Sequence, residues 1–284
     1  MTGTETHLRV HDYDLAATLD SGQAFRWRKD GGGWIDVIGK HWVRLTQTRD
    51  GIRAETAAPV KNWGWLRDYL QTEVNLAAVL KTFPKDEPMQ TAVATCRGLR
   101  ILRQDPWECL ASFILSSTKQ IIQIRQIIAL LCERFGEPVA APPDEPPVFA
   151  FPSPEKIAQA TEGRLRACKM GFRAPYLLAA ARRIADGKSN LERLRQLPLT
   201  EAREELMQLR GVGEKIADCV LLFAYGFDAA FPVDVWVGRA LRELYFPHRH
   251  VTAKQLQSFA ATHFGPHAGY AQQYLFHYMR TKVK

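Results

Sequence analysis

No two of the five cysteines (Cys96, Cys109, Cys132, Cys168, Cys219) form a Cys-x-x-Cys pair, and their odd number leaves one over in any pairing scheme. The economical expectation is a set of free, buried thiols in a reducing compartment, with no disulfide framework. Also missing is any apolar run approaching the roughly 18 residues that a membrane span requires. The opening residues, Met1-Thr-Gly-Thr-Glu-Thr-His7, lack the charged-then-apolar pattern of a leader. A soluble, intracellular protein without membrane contact is therefore expected. What is present is a chain of 284 residues, 46% hydrophobic and 24% charged, enough for a full core divided into two or three packed units. Its net charge of +8 favours a polyanionic partner such as nucleic acid, without proving one.

The first third has a strand-like texture. From Leu8 to about Ala57, Phe25-Arg-Trp27, Trp34 to Ile38, Trp42 to Thr46 and Ile52 to Ala54 alternate or cluster apolar residues between glycine-rich breaks, which predicts an antiparallel meander. Short helices are expected over 63–69 and 75–82. After Gly98 the texture is helical. Pro106 opens a helix to about Ser117, and Ile124, Ile127, Ile128 and Leu131 mark the buried stripe of another over 121–135. Between them, Ser116-Ser-Thr118-Lys-Gln120 is a polar break suited to touching DNA or to turning a corner. Residues 137–147 hold five prolines and three acids and read as a loop. A helix begins at Pro154, Met170-Gly-Phe172-Arg173-Ala-Pro-Tyr176 interrupts, and a helix resumes over 177–185. An aromatic beside an arginine on such a Gly-flanked turn suits a wedge into a base stack, although a Phe at a bend is more often core. The fold class expected is α+β: an antiparallel β domain with flanking helices over 1–98, then helical domains over 99–284.

The chemistry concentrates further on. Leu206 and Leu209 among charged residues predict a short amphipathic helix. Gly211-Val212-Gly213 ends it, and a second helix starts at about Glu214 and runs apolar through Ala224. A Gly-hydrophobic-Gly hairpin between helices, over about 203–224, leaves backbone N–H groups free at the second helix start, where they suit a phosphate. Lys215 falls on that first turn, where a cation opposes the helix dipole and the neutral amine needed for nucleophilic attack is favoured. Alone, it reads first as a solvated or phosphate-contacting residue. About twenty residues on, the loop 231–235 carries Asp234 at the N-cap position of a helix expected over 235–245. That spacing lets one helix run out and the chain return, so Lys215 and Asp234 can share a cleft. In the aromatic-rich helix near the C-terminus, Gln272 and Phe276 stand four apart on one face. Core packing explains the phenylalanine, whereas a glutamine on that stripe must find partners.

Gly211-Val-Gly-Glu-Lys-Ile-Ala-Asp-Cys219 and Pro232-Val-Asp-Val235 resemble the helix-hairpin-helix and catalytic-loop signature of base-excision DNA glycosylases, specifically the 8-oxoguanine DNA glycosylases. Further blocks agree in order: Ser21-Gly-Gln-Ala-Phe-Arg-Trp27, Leu102-Arg-Gln-Asp-Pro-Trp-Glu-Cys109 and Gly269-Tyr-Ala-Gln-Gln-Tyr-Leu-Phe276. The resemblance implies a monomer acting on double-stranded DNA that contains 8-oxoguanine, with neither cofactor nor metal. Iron–sulfur relatives carry a cysteine cluster after the catalytic aspartate, and here no cysteine follows Cys219.

By the same resemblance, Lys215 attacks C1′ of the damaged nucleotide and Asp234 stabilises charge on the sugar. Gly22 offers its carbonyl to the N7–H that distinguishes 8-oxoguanine from guanine, Gln272 meets the Watson–Crick edge, and Cys219 and Phe276 sandwich the base. Phe172 is the wedge, Arg173 reads the orphaned cytosine, and Gly211, Val212, Gly213, Thr118 and Gln120 contact DNA. Three positions depart from the animal enzymes. Thr118-Lys-Gln120 stands for an asparagine run, Gln123 for an arginine facing the cytosine, and Trp236 for a phosphate-contacting histidine, which bears on opposite-base selection more than on the chemistry. Two other readings share these features: a glycosylase for another damaged base, and a non-catalytic helix-hairpin-helix DNA-binding module.

Overall fold

Val43, Leu45, Ile52 and Ala54 are fully buried, and their alternation along two neighbouring strands makes the centre of a five-stranded antiparallel sheet. In the computed structural model, which describes residues 3–116 and 120–282, the strands are β1 (Gly3–Arg9), β2 (Arg28–Asp30), β3 (Gly33–Ile38), β4 (His41–Thr48) and β5 (Gly51–Val60), in the order β1-β5-β4-β3-β2. The meander β2 to β5 thus pairs strands in sequence, and β1 returns to the far edge against β5. One face of the sheet packs on Leu66, Tyr69 and Leu70 of the helix Gly64–Leu70.

Two expectations for this region need correction. β1 begins at Gly3, before the predicted start at Leu8, because its exposed edge carries few apolar residues to announce it. Phe25-Arg-Trp27 is not a strand. Residues two apart in a strand share a face, yet Trp27 joins the sheet core, with its indole N–H on the Tyr69 hydroxyl at 2.9 Å, while Phe25 turns to the helical core and meets the Phe113 ring edge-on at 5.4 Å. The turn before it is held by the buried Gln23 amide. Its Nε2 donates to the carbonyls of Thr18 and Arg100, and its Oε1 accepts from the Leu102 N–H. A short helix, Leu15–Asp20, capped by the Asp14 carboxylate, precedes this turn and was not anticipated.

The remaining helices enclose a second core, to which Leu76, Val79, Met89 and Ala92 belong, so the helices Leu76–Leu80 and Glu87–Thr95 pack away from the sheet. At its centre lies Pro106–Ser116, apolar on nearly every side and packed against Glu214–Val220. A helix hydrophobic all round is what a fully enclosed position demands. Ile121–Phe135 forms as expected. The proline-rich stretch is loop, apart from a two-residue ladder that pairs Pro138–Val139 with Val148–Phe149. Lys169 (φ 63) and Gly171 (φ 60) take left-handed backbone at the predicted interruption, and the following helix, Ala174–Ala185, starts three residues earlier than expected. All five cysteines are buried and free. Among the described residues no helix is long and apolar enough to cross a membrane.

Candidate active site

The hairpin joins Leu199–Met207 to Glu214–Val220. Val212 is its buried rivet, its N–H bonded to the Leu209 carbonyl at 3.0 Å. Gly211 has φ +87, and a Cβ there would stand 2.7 Å from the Tyr176 ring, so both conformation and space demand glycine. Gly213 has open space where its Cβ would be, and no side chain caps the helix that follows. An anion can therefore approach that end of the helix closely. Beyond Val220 the helix loosens into a π-turn over Leu221–Tyr225 and stops at Gly226, whose backbone is left-handed, where a single helix through Ala224 was expected.

Lys215, half-buried on the first turn, extends its Nζ over the Phe113 ring at 5.3 Å from the centroid. Asp234 caps Val235–Tyr245, its Oδ1 accepting the Val237 N–H at 2.7 Å. That bond fixes the carboxylate at the loop–helix junction. Burial raises the Asp234 pKa above the ordinary carboxylate range, against the opposing pull of the Val237 N–H and of the Lys215 charge.

Lys215 and Asp234 line one cavity of 420 Å³, and Gly22, Cys219, Gln272 and Phe276 line it with them. Six residues spread from position 22 to 276 therefore converge, in a hollow of the size small-molecule sites have. Gln272 is buried and its Oε1 has no hydrogen-bond partner among the described residues, an acceptor waiting for a donor. The neighbouring Gln273 donates to the Ser21 carbonyl at 3.0 Å and so ties the C-terminal helix Ala268–Lys282 to the Ser21–Gly22 turn. Burial pushes the Cys219 thiol up to about 12, which leaves it neutral at physiological pH and unsuited to be the nucleophile.

The remaining expected residues lie elsewhere, with one exception. Gln120 lines the cavity. Phe172 is 55% exposed at the bend, edge-on to Tyr176 at 6.3 Å, and Tyr176 also underlies Gly211 and stacks the Arg210 guanidinium at 5.3 Å. Arg173 is 1% exposed, its guanidinium 4.3 Å from the Phe172 ring centroid. Thr118 lies outside the described residues. Missed from the sequence were Phe25 and Phe113, which wall the cavity, and Arg280 at its rim. The last was discoverable, since it continues the Gln272 and Phe276 stripe by one more turn.

Residues 6–110 match the family described as 8-oxoguanine DNA glycosylase, N-terminal domain, and residues 111–264 match the HhH-GPD superfamily base excision DNA repair protein. The probable N-glycosylase/DNA lyase of Methanothermobacter thermautotrophicus is 29% identical, across 95% of each chain. The N-glycosylase/DNA lyase OGG1 of Arabidopsis thaliana is 31% identical, covering 92% of this chain and 76% of its own length. In structure, the Clostridium acetobutylicum 8-oxoguanine glycosylase/lyase, solved with double-stranded DNA containing cytosine opposite 8-oxoguanine, superposes with a TM-score of 0.91 at 31% identity over 98% of this chain and 99% of that one. With matched models running from the sheet through the hairpin and the loop 231–235, the chain belongs to the 8-oxoguanine DNA glycosylases of the HhH-GPD superfamily.

Proposed function

We propose that this glycosylase and AP lyase extrudes 8-oxoguanine from opposite cytosine and excises it through a Schiff base on Lys215. The observation that carries the reading is the convergence of Lys215, Asp234, Gly22, Gln272 and Phe276 on one cavity. Flipping the nucleotide costs a few kcal/mol of stacking. Phe172, exposed at the bend, fills the gap left in the stack, and the hairpin amides hold the backbone phosphates. Within the cavity the Gly22 carbonyl accepts the N7–H of the oxidised base, Gln272 takes its Watson–Crick edge, and Cys219 and Phe276 cover its faces.

The neutral Lys215 amine then forms an N–C1′ bond as the C1′–N9 bond breaks, the electron pair leaving with the base. The Asp234 carboxylate stabilises the positive charge on the sugar during this step and moves the protons that follow. The attached nitrogen then gives up a proton to the Asp234 carboxylate, and its lone pair forms C1′=N while the C1′–O4′ bond opens and O4′ takes that proton. Loss of a C2′ proton from this Schiff base expels the 3′-phosphate and nicks the strand. Borohydride trapping tests the reading. A covalent adduct is expected with a duplex containing 8-oxoguanine and none with guanine. Excision measured against each of the four opposite bases is expected to be fastest with cytosine, and equal rates would remove that part of the proposal.

Two substitutions separate recognition from stability. Gln272→Leu relieves a buried amide oxygen of its missing partner, so the melting temperature is expected to hold or rise while 8-oxoguanine excision falls. A loss of both together would make Gln272 a core residue. Gly211→Ala introduces a Cβ at positive φ against the Tyr176 ring, and a destabilisation of at least about 1 kcal/mol is expected. Binding to damaged and undamaged duplex should weaken alike, because a backbone clamp does not read bases.

A further inference from the structure

Arg280 stands one helical turn beyond Phe276 and two beyond Gln272, so the three side chains form a row along the C-terminal helix and all line the cavity. Its Nη1 donates to the Asp20 carbonyl at 3.1 Å, and its guanidinium carbon lies 5.5 Å from the Phe276 ring centroid. The same nitrogen is 3.2 Å from where a Cβ on Gly22 would stand. The guanidinium thus shares a corner with the turn proposed to test the purine N7. Asp20 gives Arg280 only its carbonyl, since its carboxylate faces Arg125 at 3.2 Å.

The charged residues lining the cavity, among those described, are Lys215, Asp234 and Arg280. Attack requires Lys215 to be neutral, so Arg280 supplies the standing positive charge. A guanidinium offers five N–H donors in a fixed fork, and one of them meets Asp20.

We propose that Arg280 is a substrate contact, donating to an oxygen acceptor of the extruded nucleotide on the Gly22 side of the cavity. This rests on the reading of the cavity as the nucleotide pocket. In an anti purine nucleotide C8 faces the 5′-phosphate, so the acceptor is either the O8 of the oxidised base or a 5′-phosphate oxygen. Both accept a charge-assisted hydrogen bond, which gains strength where water is excluded.

The test is equilibrium binding in a Lys215→Gln background, where no cleavage obscures affinity. Arg280→Gln and Arg280→Lys are compared with the parent on duplexes carrying 8-oxoguanine, guanine or a tetrahydrofuran abasic site, over a range of salt. Arg280→Gln is expected to bind the 8-oxoguanine duplex about ten-fold more weakly or worse, with part of the loss restored in Arg280→Lys. An equal loss on tetrahydrofuran, with the salt slope reduced by about 0.9, identifies phosphate. Unchanged binding of tetrahydrofuran identifies O8. Unaltered affinity for both lesions, or a loss equal on all three duplexes that tracks a lowered melting temperature, overturns the proposal in favour of a mere brace for Asp20. Failure of the pocket reading shows separately, as a parent that does not prefer 8-oxoguanine to guanine before Arg280 is changed.

Discussion

Lys215→Gln is expected to abolish the borohydride-trapped adduct and strand nicking, and to slow base release by at least about a thousand-fold, as loss of a nucleophile does. Binding to the 8-oxoguanine duplex should survive, because the Gly22, Gln272 and Phe276 walls do not depend on the amine. The side chain rests on the Phe113 ring, and glutamine retains most of that apolar contact, so the melting temperature should change little. Cys219→Ala, in contrast, should keep the adduct, since the thiol is pushed up to about 12 and is not the attacking group. A trapped complex that persists in Lys215→Gln and disappears in Cys219→Ala would overturn the assignment.

Asp234→Asn is expected to cost two to three orders of magnitude in base release, about what removal of a preorganised electrostatic contact costs elsewhere. Stability should behave differently, because asparagine caps helices about as well as aspartate, whereas Asp234→Ala should cost about 1 kcal/mol. The pH dependence follows from the direction of the pKa shift. Burial holds the folded pKa above the unfolded one. The folded protein therefore binds that proton more tightly, and it loses stability as pH rises from the unfolded value through the folded one. Asparagine escapes this loss. Activity needs the ionised form, so its acid limb should lie above the ordinary carboxylate range and should vanish in Asp234→Asn. If the limb stays, another group sets it.

Much of this arrangement was legible in the sequence because it rests on backbone rules. Gly211 and Gly213 announced the hairpin, and the Pro232-Val-Asp-Val run announced a capped helix whose Asp234 carboxylate does bond the Val237 N–H. Gln272 stood out as a polar residue on an apolar stripe. Less legible was anything set by two cores meeting. Phe25 and Trp27 read as one strand face, yet each serves a different core, which no local pattern encodes. The helix Ala253–His263 went unremarked because only Leu256 and Ala260 of its residues are buried, too thin a stripe to mark its period. Arg173 is buried with its guanidinium against the Phe172 ring, a placement made by packing rather than by residue type.

The Gly22 turn hangs from two places far apart along the chain, the segment 100–104 and the C-terminal helix. Gln23 grips the Arg100 carbonyl and the Leu102 N–H, Gln104 donates to the Gln23 carbonyl at 2.6 Å, and Gln273 grips the Ser21 carbonyl. Three glutamine amides thus hang one carbonyl between the sheet core and the last helix. The proposed discrimination by a single proton tolerates little play, and here the rigidity comes from the molecule's own interior. Slackening in either half should therefore blur the distinction between oxidised and normal purine before it reaches the phosphate grip of the hairpin.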